Sequence, residues 1–239
     1  MKSASAPAKP DIHTQGDYKE QWLRNFERQA LDQQFAGAYV YPQSPDFNRH
    51  FFNCCRRHMN RDADFLKLAV PVNKTDHIVG PDTAKVVVVQ YGDFECPMCG
   101  QAYPAVQMLL NKFEHRLRFV FRHFPLTAAH PNAELAAEAA EAAGAQHKFW
   151  PMYDLLYQNQ SHLKPKDLHR YAEQLELDLV RFDFELSDQV YRQRVNEHVD
   201  SGKRSGLRSM PAFFVNGLLV DVSFGLDHLH EAVHAKLKD

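Results

Sequence analysis

Four consecutive residues of the 239-residue chain carry a chemistry that their spacing makes specific: Cys96-Pro97-Met98-Cys99. Two thiols on one helical turn lie close enough to close into a small disulfide and to reopen, which makes the pair a reversible dithiol. In front of it stands Val86-Val87-Val88-Val89-Gln90-Tyr91, a β-branched run of strand character, followed by the loop Gly92-Asp93-Phe94-Glu95. Behind it, residues 101–112 read as helix. Cys96 therefore stands at a helix start, where the positive end of the helix dipole favours thiolate over thiol. A zinc half-site is the main competing use of such a pair. No second Cys-x-x-Cys or Cys/His pair lies at ligand spacing to complete a four-ligand set. Two inert, buried cysteines fit this position poorly, since a helix start after a strand is usually partly open.

The elements that must position the pair follow from local patterning. Residues 76–81 lead into a first core strand at 85–91, and a second strand is expected at 116–124. Pro125 and Pro131 bracket a loop, after which residues 132–145 form an Ala-rich helix whose Glu134, Glu138 and Glu141 read as a solvated face. Helical stretches at 149–160, 166–175, 180–187 and 190–201 extend this into an all-helical insertion at about 127–203. Residues 210–220 then read as strand, Asn216-Gly217 turn and strand, a hairpin, and residues 225–238 as a closing helix. Residues 1–75 form an N-terminal extension, disordered to about residue 16 and helical over 17–35 and 45–68. Within it His50, Cys54 and His58 share a helical face and are metal candidates by donor type. An ordinary, partly buried helix surface is the plainer reading, with Cys54 and Cys55 as free thiols.

An apolar content of 44% suffices for a core, and a formal charge of −2 gives no reason to expect nucleic acid or an anionic membrane as partner. No 18-residue apolar run is present, so no membrane span is expected, and four cysteines in this length are not a disulfide scaffold. Residues 1–10 lack the apolar segment of a secretory leader. The sequence as written is thus expected in the cytoplasm, and a trimmed mature form outside it. No cofactor is expected.

Taken together, these elements resemble the DsbA-like branch of the thioredoxin superfamily over residues 76–239, and in particular the group found both alone and fused behind sodium/proton antiporters. The resemblance rests on Tyr91-Gly92-Asp93-Phe94-Glu95-Cys96-Pro97-Met98-Cys99-Gly100, Arg122-His123-Phe124-Pro125-Leu126, His130-Pro131 and Pro211-Ala212-Phe213-Phe214-Val215-Asn216-Gly217. It implies an α/β thioredoxin fold with an all-helical insertion, and a thiol–disulfide oxidoreductase. Cys96 would be the exposed attacking thiol and Cys99 the resolving thiol one turn deeper, with Pro97 and Met98 tuning the thiolate without charge. Met210-Pro211 would form a cis-proline loop whose Met210 backbone pairs with an extended substrate strand; a Pro211 that merely starts an edge strand is the alternative.

One departure stands out. Relatives commonly carry a buried acid six residues before the first cysteine, and this chain has Gln90, an amide that cannot take a proton. Asp93, Glu95 or water is left to serve the resolving thiol. The implied partners are protein thiols and disulfides, with glutathione or a redox partner protein, and the extension could join two copies. The direction of electron flow stays open, and so does a glutathione-linked or cytoplasmic reductase. Two other classes also remain: a Cu(I) carrier using Cys96, Cys99, Met98 and Met210, and a non-catalytic binding module on the same fold.

Overall fold

The structure, a computed structural model, describes residues 66–223 and 225–238. In chain order these form β1 (His77–Val79), β2 (Val86–Gly92), α1 (Pro97–Phe113), β3 (Leu117–His123), α2 (Ala133–Gly144), α3 (Phe149–Gln158), α4 (Pro165–Gln174), α5 (Leu179–Ser187), α6 (Arg192–Arg204), β4 (Ala212–Val215), β5 (Leu218–Val220) and α7 (Asp227–Lys238). The five strands make one sheet in the order β1-β3-β2-β4-β5. Strands β2 and β3 run parallel, with Val88 opposite Phe119, and every other pairing is antiparallel. A parallel pair needs a crossover, and α1 supplies it. Helices cover both faces of the sheet centre, so β2 is buried at every position but the half-buried Val87 rather than at alternate ones.

The expected hairpin is present. Asn216 and Gly217 lie between β4 and β5 with φ of 47° and 82°, the paired positive values that a tight two-residue hairpin turn demands. The helical insertion is also present, as α2 to α6. Strand β1 was not anticipated as a strand: three residues, His77-Ile78-Val79, pair antiparallel with β3 and are too short to carry a periodic signal. Upstream of it, the chain pairs with the far edge of the sheet through Leu68 N to Gly217 O (2.9 Å) and Leu219 N to Leu66 O (3.0 Å). The extension's earlier helices, and with them His50, Cys54, Cys55 and His58, lie outside the described residues.

The solvated glutamate face expected on α2 is not what the structure has. Glu138 and Glu141 are only 2% and 3% exposed, because α2 packs against α3, α5 and α6 and its alanines let those neighbours approach on every side. Burial pushes the Glu138 carboxyl up to about 7, with the nearby Glu134 adding to the effect. Glu141 instead has three donors and is held well below the usual carboxylate range despite its burial.

A second tight contact joins the insertion to the sheet. At Gly202 in α6 an added Cβ would meet the Phe124 ring at 2.6 Å and Tyr91 at 3.1 Å. Gly202→Ala is therefore expected to destabilise the fold by about 1–3 kcal/mol through overpacking, against the few tenths to ~1 kcal/mol that alanine ordinarily adds in a helix. Denaturant midpoints of the two proteins check it, and a more stable variant would refute the tight contact.

Candidate active site

The loop after β2 delivers Cys96 to the N-cap of α1, in extended conformation (φ −72°, ψ 120°), and Pro97 takes the first helical turn, where a missing N–H costs nothing. The Cys96 N–H donates to Asp93 O at 3.3 Å, and the Gly100 N–H to Cys96 O at 3.1 Å. Both cysteines are free thiols. Cys99 is 0% exposed and Cys96 5%, so their order is as expected but Cys96 is not the open thiol that the resemblance implied. The residue that stands out is Met98, 58% exposed. A hydrogen bond from Cys99 lowers the Cys96 thiol to about 6 against the opposing effect of burial, with backbone N–H groups of Cys99 and Met98 adding to it. The same bond and its own burial hold Cys99 far above the ordinary thiol range.

Across from the dithiol lies the loop before β4. The Met210–Pro211 peptide bond is cis, and the Cys96 thiol faces the Met210 carbonyl at 3.8 Å. Met210 thus presents its backbone to Cys96, whereas a soft-metal site would use its thioether.

The acids around the dithiol have distinct positions. Asp93, 1% exposed, accepts from the Glu95 N–H at Oδ1 (2.8 Å) and from the Leu126 N–H at Oδ2 (2.8 Å), and pairs through Oδ2 with His130 Nδ1 at 2.7 Å. Its own N–H points at Cys99 Sγ, 3.5 Å away. Glu95 is occupied elsewhere: its two carboxylate oxygens accept from the backbone N–H and side-chain amide of Asn132, at 2.6 and 2.7 Å, where α2 begins. Gln90 is fully buried, accepts a 3.4 Å bond from the Tyr153 hydroxyl at Oε1, and leaves Nε2 without a hydrogen-bond partner. Buried Tyr153 and Tyr157 lie close enough to the thiols for Cys99 to push their phenols further above the ordinary range that burial already raises.

Two residues in this shell were not singled out from sequence as site residues. His130 was noted only as part of a family motif. Gln160, just past α3, donates from Nε2 to both Phe94 O (2.8 Å) and Cys96 O (2.9 Å), so the helical insertion holds the thiol turn. A faint signal for it existed in Gly100, directly after Cys99. A Cβ there would stand 1.9 Å from Gln160 Oε1.

Among the described residues one further cluster has metal-ligand composition: His77, His123 and Glu141. The two imidazole Nε2 atoms reach the carboxylate at 2.9 and 3.0 Å. The Arg194 Nε, however, sits on the same Glu141 Oε2 at 2.9 Å, and the buried His123 Nδ1 has no partner. A ligating histidine normally donates its other ring N–H, and a guanidinium repels a cation. The cluster fits a buried carboxylate with three donors, not a metal centre.

Sheet order, helix-borne dithiol and facing cis-proline define a thioredoxin-fold protein, and comparison with known proteins agrees. The thioredoxin family model, described as "Thioredoxin", matches residues 72–235. The chain belongs to that family. The Na(+)/H(+) antiporter NhaA 1 of Salinispora arenicola is 51% identical over 169 residues, covering 70% of this chain and 26% of the antiporter. The chain thus spans about a quarter of the length of the curated relatives it matches. In fold it is similar to oxidised BdbD of Bacillus subtilis (TM-score 0.65, 21% identity, covering 71% of this chain and 96% of that one). A thioredoxin-like oxidoreductase from Silicibacter pomeroyi is also similar (TM-score 0.60, 24% identity, 70% and 95% covered). Among the described residues no helix is long and apolar enough to cross a membrane.

Proposed function

We propose that the chain is a thiol–disulfide oxidoreductase acting on protein thiols and disulfides through Cys96. The observation that carries this is geometric: Cys96 caps the dithiol helix with its thiol 3.8 Å from the Met210 carbonyl of the cis-proline loop, and Cys99 lies fully buried one turn on. In the reducing direction the Cys96 thiolate attacks one sulfur of a client disulfide. A Cys96–client disulfide forms and the client's other sulfur leaves as thiolate. Cys99 then gives up its proton and attacks Cys96 Sγ, which closes the Cys96–Cys99 disulfide and releases the second client thiolate. Two electrons pass to the client; the reverse sequence oxidises it. The Met210 backbone guides the client strand by β-pairing. Protein clients explain a buried Cys96 two residues before an exposed Met98 better than glutathione does, since an extended chain can be aligned by backbone pairing.

A thiolate stabilised in the reduced form makes the disulfide a better oxidant. A thiol near 6 lies between the roughly 7 of thioredoxin and the roughly 3.5 of DsbA. The decisive experiment is equilibration of the Cys96/Cys99 pair with glutathione buffers, read by thiol tagging in a Cys54→Ser, Cys55→Ser background. The expected potential lies between about −120 and −270 mV. A pair that never exchanges with glutathione overturns the proposal. The linkage also has a sign. Cys96 titrates lower in the folded, reduced protein than its ordinary 9, so its stabilisation of that form is fully present above about pH 9 and is lost as pH falls through about 6. Unfolding of the reduced protein is expected to grow harder from pH 6 to 9 relative to the oxidised protein, by paired guanidinium titrations.

A further inference from the structure

The dipeptide Pro97-Met98 brings no charge to Cys96, so any ionic control of the thiolate must come from outside the motif. The loop between β3 and α2 brings one. It is clipped to the thiol turn through Asp93, which holds the Leu126 N–H and the His130 ring, and through Glu95, which holds Asn132. Asp93 is the awkward member: a carboxylate with a 0% exposed side chain, in the turn that ends at Cys96, with its backbone N–H on Cys99 Sγ. A buried anion there opposes a second negative charge on sulfur. His130, whose side chain is 17% exposed, is the one partner of that carboxylate that can gain or lose a proton.

We infer that His130 is a positioning residue that controls how readily Cys96 ionises: as imidazolium it cancels the Asp93 carboxylate beside the dithiol, and as neutral imidazole it leaves that carboxylate facing the sulfur. This deepens the oxidoreductase reading and rests on it. The titratable groups that face His130 are Asp93, Cys96 and Glu95, all anionic when ionised and all contributed by the thiol turn and its preceding loop. Burial works against the imidazolium, and the Asp93 hydrogen bond with these charges more than offsets it, so His130 titrates above its ordinary value. Cys96 in turn feels Asp93 as a raising influence. The charge on sulfur and the charge on His130 therefore support each other, and Cys96 ionises less readily beside a neutral His130 than beside its imidazolium.

The test is the ultraviolet thiolate titration of the reduced protein in the Cys54→Ser, Cys55→Ser background, for the parent, His130→Gln and Asp93→Asn/His130→Gln. Cys96→Ser identifies the signal. In His130→Gln the Cys96 midpoint is expected to rise by about one unit, the scale of an uncompensated buried charge nearby. In the double variant it is expected to return toward the parent, since the opposing carboxylate is gone. An unchanged midpoint in His130→Gln overturns the inference, and so does a raised midpoint that the double variant fails to bring back, which is what loss of loop structure alone would give. If the double variant does not fold, His130→Lys replaces it. A permanent cation is expected to hold the midpoint at the parent value, and a midpoint as high as in His130→Gln overturns the inference. These outcomes are separate from failure of the oxidoreductase reading, which would appear as a parent protein with no Cys96-dependent thiolate below the ordinary range.

Discussion

Cys99→Ser is expected to accumulate mixed disulfides with client proteins, while Cys96→Ser accumulates none and loses turnover on the order of 10³-fold or more, as removal of a nucleophile generally does. The asymmetry follows from the geometry of the turn. Cys96 ionises near 6 and faces the Met210 carbonyl, where a client strand would lie, whereas Cys99 is fully buried and holds its proton. Without Cys99 the first exchange still occurs and nothing resolves it. A hydroxyl at position 96 has no thiolate to start the sequence. Non-reducing gels of lysate-exposed variants, with the trapped species released by dithiothreitol, give the answer. Equal trapping by both variants would reverse or abolish the assignment of roles.

The second large effect concerns stability. Arg122, with a side chain 2% exposed, forms a two-pronged ion pair with the equally buried Asp76 (2.8 and 2.9 Å). It also donates to Val70 O, Pro71 O and the Tyr91 hydroxyl. Arg122→Met fills much of the same space but leaves Asp76 as an uncompensated buried charge and two carbonyls without their donor. The expected loss is about 3–5 kcal/mol, or roughly 6–20 °C in Tm for a domain of this size. Adding Asp76→Asn to Arg122→Met is expected to recover part of it by removing the isolated charge. A loss below about 1 kcal/mol in the single variant would mean that water reaches Asp76 and that the pair is not the buried strut described above.

The contrast between Cys96 and Arg122 explains what the sequence made legible. Strand β2, the dithiol helix and the Asn216-Gly217 hairpin could be read because each is specified locally: by β-branched residues, by a helix start, by a turn that requires positive φ; the cis-proline loop at Pro211 came only with the family resemblance. Arg122, Glu141 and His77 could not. Arg122 pairs with Asp76 46 positions away, and Glu141 with His77 and Arg194 64 and 53 positions away, and an arginine in a strand carries no local mark that it is buried. Helix α2 misled for a related reason. Alanine is small enough to be packed on any face, so glutamates among alanines resemble an exposed stripe even when helices close over them.

The Gln160 bonds to Phe94 O and Cys96 O carry a consequence for local opening. A thiol turn in a minimal domain could fray on its own, at a free energy set by its few neighbours. Here two carbonyls of the turn are released only when the segment just past α3 lets go. The turn and that segment therefore share one cooperative unit of the kind that amide exchange resolves. The insertion thereby sets how long the dithiol keeps its working shape between excursions, although it contributes no reacting atom.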